Sequence, residues 1–185
     1  MVVRPWKFTP SHMKSITIYL CCLVSASFAF AGQEADNAKT QAQRCADAQI
    51  AKDYATVVSY THPILLKAGG GKEALRKGLE SAMKQVEEQG IKFEKTIIRS
   101  ATEPKRIGKA LVSLLAQEVT LRTPDGKLTQ ESTLLGYSYD EGKNWVFADT
   151  GEMDEVTFQK YFPELKGVIS LPKKKDPVIV NDKKA

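Results

Sequence analysis

Two alternating apolar runs meet at one tight turn, and that turn constrains the chain more than any other feature. Leu111 to Arg122 places Leu111, Leu115, Val119 and Leu121 at even spacing, the period of a strand with one face inward. Thr123-Pro124-Asp125-Gly126 follows. Pro124 pre-sets φ and Gly126 accepts a positive φ, so the chain reverses there. Leu128 to Tyr139 then returns as the second arm of a long antiparallel hairpin. Ile91 to Arg99, rich in β-branched and aromatic residues, supplies a strand before it. Asp140 to Asn144 is a second turn, and Trp145 to Asp149 a last strand. An antiparallel sheet of about four strands must bury a face, and the segments before Gly90 are what it has to bury it against.

Those segments carry a helical period. From about residue 41 to Tyr60, Ala46, Ile50, Tyr54, Val57, Val58 and Thr61 fall on one helix face. Pro63 pushes His62 out of the helical region, so the helix is expected to end there. Ile64-Leu65-Leu66 reads as a short strand. After Gly69-Gly70-Gly71 a second helix is expected from Lys72 to Gln89, with Leu75, Leu79, Ala82, Met83 and Val86 inward and Gly90 as its stop. Asp154 to Phe162 reads as a short closing helix ended by Pro163. The predicted fold class is α+β, helices packed into a strongly curved antiparallel sheet.

Both ends read differently from this body. Ile16 to Ala31 carries no charge, follows Lys14 and ends in Ala29-Phe30-Ala31, the pattern of a secretory signal peptide cut after Ala31. Met13 is a more natural start than Met1. The expected domains are a signal peptide over 1–31, a flexible start over 32–40, one domain over 41–166 and a Lys/Pro-rich tail over 167–185. Removal of 1–31 leaves 24 basic and 22 acidic residues, and residues 172–185 hold five lysines against two aspartates. The folded body is then close to neutral, which argues against nucleic acid as a partner. No second apolar run follows, so no stable membrane insertion is expected after cleavage. Cys45 is the one cysteine left, read as a small helix-face residue or as the source of an intermolecular disulfide.

The chain resembles the NTF2-like superfamily, in its SnoaL-like and ketosteroid-isomerase-like branch of cone-shaped α+β barrels. "AKDYATVVSYTHPILL" (51–66) is similar to a helix ending in an aromatic residue, a polar link and a first strand. "GGKEALRKGLESAM" (70–83) resembles the start of the next helix, and "GKNWVFADTGE" (142–152) the closing strand. The resemblance covers about Ala42 to Gly151. It implies isomerases, dehydratases, cyclases or non-catalytic binding proteins, and a homodimer formed through the sheet face. Fold alone does not choose among these.

Chemistry rests on few residues. His62 has the residue type for a general base near neutral pH, with Asp53 or Asp149 to orient it and Tyr60 to donate a hydrogen bond. The alternative is a histidine that caps a helix C-terminus. Tyr54, Val58, Trp145, Phe147 and Tyr137 are the expected pocket wall, or core packing. Tyr137 and Tyr139 share one face of their strand, inward or on the dimer surface. Gly69-Gly70-Gly71-Lys72 is no phosphate loop, because Glu73 stands where Ser or Thr would hold magnesium. After removal of 1–31, one histidine and one cysteine far apart do not make a metal site, and no cofactor is expected. The reading is an exported, non-catalytic module that binds a small apolar ligand or a protein partner. A proton-transfer enzyme built on His62 is the first alternative, and a structural subunit of an envelope assembly the second.

Overall fold

The computed structural model describes residues 32–181. The expected signal peptide and the choice between Met1 and Met13 lie outside the described residues. The class is α+β. Residues 32–50 form a helix (α1), followed by α2 (Tyr54–Ser59), α3 (Pro63–Ala68) and α4 (Lys72–Glu88). Then come β1 (Lys92–Ala101), β2 (Lys105–Ile107), β3 (Ala110–Thr123), β4 (Gly126–Ser138) and β5 (Val146–Asp149). A short α5 (Glu155–Tyr161), a single 3-10 turn at Pro163–Leu165 and β6 (Val178–Asn181) close the chain. The strands form one antiparallel sheet in the order β1-β3-β4-β5, with β2 beside β3 and β6 beside β4.

The helical part departs from the sequence reading in three places. Residues 32–40 are helical, because Ala38, Ala42 and Ala46 recur every four residues and are buried. Alanine is the best helix former, and its small side chain lets α1 approach the sheet closely. The helix does not run on to Tyr60. Lys52 takes a left-handed backbone (φ 61), and Asp53 starts α2 by accepting a hydrogen bond from the Thr56 N–H at 3.1 Å. Finally, Ile64-Leu65-Leu66 is not a strand but lies in α3. Pro63 ends no helix; it occupies the first turn of one, where its missing N–H costs nothing. His62 is extended as expected (ψ 137), yet it caps the start of α3 rather than the end of the preceding helix. Gly90, with φ 79, follows α4 as its stop.

The hairpin is as the turn demands: Thr123 pairs with Gly126 and Leu111 with Ser138, in unbroken register. Alternation sends Leu111 and Leu115 to one face and Ala110, Val112 and Leu114 to the other. Unlike a one-sided sheet, this one is buried on both faces near its base. On the first face Ala38 and Ala42 of α1 pack over Ile98, Leu134, Trp145 and Phe147. The second holds Leu135, Tyr137 and Ala148 under Phe158, Phe162 and Leu165. The expected tail is part of the fold. Ile169 and Leu171 pack on the second face, so residues 166–177 form a strap across it. Lys174 and Lys175 pair with Glu152 and Glu131, and β6 lies along Gly126–Thr129 of β4.

Side-chain amides tie α1 to the sheet. Gln41 Nε2 donates to the Lys143 carbonyl at 2.8 Å, and its Oε1 accepts from the Trp145 N–H at 2.9 Å. Gln43 does the same at the opposite edge. Its Oε1 accepts from the Ile98 N–H and its Nε2 donates to the Thr96 carbonyl, both at 2.9 Å. That amide stands where a neighbouring strand would stand beside β1.

Candidate functional site

His62 is buried, 6% exposed, and its surroundings are aromatic. A parallel bridge between Thr61 and Phe147 fixes its backbone, and its N–H donates to the Phe147 carbonyl at 2.8 Å. The imidazole centroid is 4.6 Å from that of Tyr137 and 5.4 Å from that of Phe162. Nδ1 accepts from the Ile64 N–H at 3.3 Å, so the proton of the neutral ring sits on Nε2, which faces the Tyr139 hydroxyl at 3.0 Å. Both nitrogens are thereby occupied. Burial pulls the imidazole pKa down to about 4, against a smaller upward pull from Glu164. Glu164 accepts a hydrogen bond from the Tyr137 hydroxyl at 2.7 Å. Tyr137 is pushed well above the usual tyrosine range, first by burial and then by that bond. Tyr139 is raised by burial too, although the residue as a whole is 57% exposed.

The residues expected to work with His62 are elsewhere. Asp53 is exposed and spends its carboxylate on Thr56, whose hydroxyl and N–H hold its pKa below the usual range. Tyr60 packs with the cluster under α1, its ring centroid 6.2 Å from that of Phe147, away from the aromatic group around His62. Asp149 belongs to a second polar group on the first sheet face. Its Oδ2 accepts from Gln117 Nε2 at 3.0 Å and its Oδ1 from the Gly151 N–H at 2.8 Å, while Gln117 also donates to Ser132 at 2.7 Å. Burial raises the Asp149 pKa, and the two hydrogen bonds oppose the shift. The sheet separates this carboxylate's face from the His62 face, so the two make no acid–base pair.

The expected pocket wall does not converge either. Trp145 and Phe147 are core on the α1 face; Tyr137 is core on the opposite face. Trp145 lies over Gly136, where a Cβ would stand 3.3 Å from the indole Cε3 and 3.0 Å from Leu115 Cδ1. Its Nε1 donates to the Gly142 carbonyl at 3.0 Å. Tyr54 lines an open concavity of about 470 Å³ with Lys52, Asp53, Arg76, Glu80 and Glu87 between α2 and α4. Val58 is buried on α2. A second concavity, about 260 Å³, lies under the strap and is lined by Glu131, Thr150 and Lys173 to Lys175 among others. The first wall is charged and open, and the second mixes its lysines and Glu131 with Ala116, Met153, Leu171 and Pro172.

Among the described residues no group of three His, Cys, Asp or Glu side chains is placed to hold a metal ion, and no helix is long and apolar enough to cross a membrane. Cys45 is half-buried against the first core, and burial pushes its thiol up to about 11, which suits packing rather than disulfide exchange. No family model matches the chain, and no curated protein matches it significantly.

Three participants went unread in the sequence. Gln117 and Ser132 had a signal: Gln117 interrupts the inward apolar series of β3, and Ser132 is its register partner on β4. Glu164, just after Pro163, had none, since its partner Tyr137 is 27 residues away.

Proposed function

We propose that this chain is an exported NTF2-like domain that works as a non-catalytic binding module, with a protein rather than a small apolar molecule as its partner. The observation that carries the reading is the dispersal of the expected acid–base set. His62 has both nitrogens engaged, and Asp53, Asp149 and Tyr60 are each bound or packed elsewhere. Packed cores on both sheet faces and concavities that are shallow and open rather than enclosed favour a protein partner over an enclosed ligand. Two register shifts in β1, at Phe93/Lys95 and Ile98/Ser100, favour the strong curvature that a cone needs. The apolar run Ile16 to Ala31 favours export. The face on which the family's homodimer would form carries α5 and the strap at its base and the ion pairs Arg99–Glu118 and Arg122–Glu94 beyond them, so a dimer there is polar. An envelope-assembly subunit is a special case of the same reading.

The test is the titration of His62 by NMR, with Asp53→Asn and Asp149→Asn beside it. The expected result is a pKa far below the usual histidine value, unmoved by either substitution. A value near 7 that moves with one of them restores the proton-transfer enzyme. Thermal shift against apolar small molecules separates the binding modes: no shift is expected, and a saturable one restores the ligand binder.

A further inference from the structure

The two outer edges of the sheet are treated differently. Beside β1, the Gln43 amide occupies the main chain of Thr96 and Ile98. Beside β6 no such cover exists among the described residues. Val178, Ile179 and Val180 are 63%, 59% and 60% exposed, an apolar edge strand with no charge at these three positions, protected only by its shortness and by Pro177 before it.

The register shows what this edge offers. The Thr150 N–H donates to the Thr133 carbonyl, so the main-chain groups of Thr133 point away from β3. Alternation gives Glu131, Thr129 and Lys127 the same direction. Thr129 pairs with Val178 and Lys127 with Val180, so those two valines spend their main-chain groups on β4. Ile179 therefore turns its N–H and C=O outward. Pro177 faces the same way with a carbonyl only, as an edge position allows. On the α1 side of the sheet, Ile179 ends a row that runs Phe93, Leu121, Leu128, Ile179 across β1, β3, β4 and β6.

We propose that β6 is a self-pairing edge, through which two copies of this chain join antiparallel with the two-fold axis at Ile179. The occupant is a second copy because the strand is its own complement. Val178-Ile179-Val180 reads the same in both directions, so a two-fold at Ile179 sets Val178 opposite Val180 of the second copy and Ile179 opposite itself. The outward N–H and C=O of Ile179 then exchange two hydrogen bonds across the axis, as an isologous interface requires. The Pro177 carbonyl accepts from the N–H of Asn181 of the second copy. The apolar row continues from one sheet into the other without a change of face. A strand of four residues buries less than the roughly 1,000 Å² of a permanent interface, so the pairing is weak and reversible. It is independent of whether the domain also binds a partner or carries out chemistry.

The test is sedimentation velocity on the chain from Gly32 to Ala185, up to about 1 mM, the range of such weak contacts. The expected result is a mass that rises toward twice the monomer with concentration, and Ile179→Lys weakens the association at least about tenfold while leaving the circular dichroism unchanged. In a Cys45→Ala background, Ile179→Cys cross-links to itself under mild oxidation. Val178→Cys and Val180→Cys cross-link when mixed and much less when alone. A monomer at every concentration overturns self-pairing and leaves the edge to a strand of another protein. A dimer that Ile179→Lys leaves intact, with no cross-link at position 179, overturns it as well and places the interface on another surface.

Discussion

Leu115 and Leu121 lie on one strand and one face, six residues apart, and their surroundings have little in common. Leu115 is fully buried between α1, Leu134 and Trp145. Leu121, near the hairpin tip, is only partly covered. The alternation of β3 is the same at both places, so the strand pattern does not set the burial. Coverage does: α1 packs closely on one face at the base and α5 and the strap cross the other, while the outer arm has only looser cover, an open concavity beside Phe93 being lined by Ile50 and Met83. The base is where stability resides, and the arm is where apolar surface remains for contact.

Substitution can break that contrast. Trp145→Ala, at the base, is expected to cost about 4 kcal/mol, the range for a buried aromatic. Denaturant unfolding measures it, and a loss below about 1 kcal/mol would show that the base is not the stability centre. Leu115→Ala is expected to cost about 3 kcal/mol and Leu121→Ala about 1 kcal/mol, because only the first leaves a closed cavity. Equal losses in the same unfolding experiment would end the distinction between base and arm.

Acid should also act on the base. The His62 pKa lies near 4 when folded and near its ordinary value of 6.5 when unfolded. The unfolded chain therefore binds the extra proton first, and stability contributed by the neutral ring is lost as pH falls from about 6.5 to about 4, on the order of 3 kcal/mol. His62→Asn keeps an N-cap acceptor for α3 and removes the titration, so its stability should be flatter across that window in urea melts. Glu164→Gln should move the His62 pKa further down, since the carboxylate is the group that pulls it up. The smallest effect belongs to the arm: Ile179→Lys should change monomer stability by no more than about 0.5 kcal/mol, as exposed sites do.

Much of this fold is legible in the sequence. The change of period after Gly90 and the Pro124-Asp125-Gly126 turn lead to α+β and to the hairpin, while its register is seen only in the structure. Local capping was harder. Pro63 carries the same restriction whether it ends a helix or opens one, and only the apolar run Ile64-Leu65-Leu66 after it, three residues and too short to judge by period, separates the two. Asp53 is a plain N-cap, and the apolar face continuing on either side of it concealed the break. The short β6 has no period to read, and its place was set by the row on β4 that it completes. For the site, His62 stands out in the sequence by residue type alone. Its setting was not legible, because Tyr137, Tyr139 and Phe162 come to it from far along the chain.

The amides of α1 also bear on how the chain reaches this state. Gln41 binds the main chain of Trp145, 104 residues further on. Contacts so distant in sequence close late, since the intervening loop must be ordered first. While the chain is being made, α1 has no sheet to lie on and Gln43 has no strand edge to shield. The contact between Gln41 and Trp145 cannot form until residue 145 has emerged, so α1 can complete its docking only then.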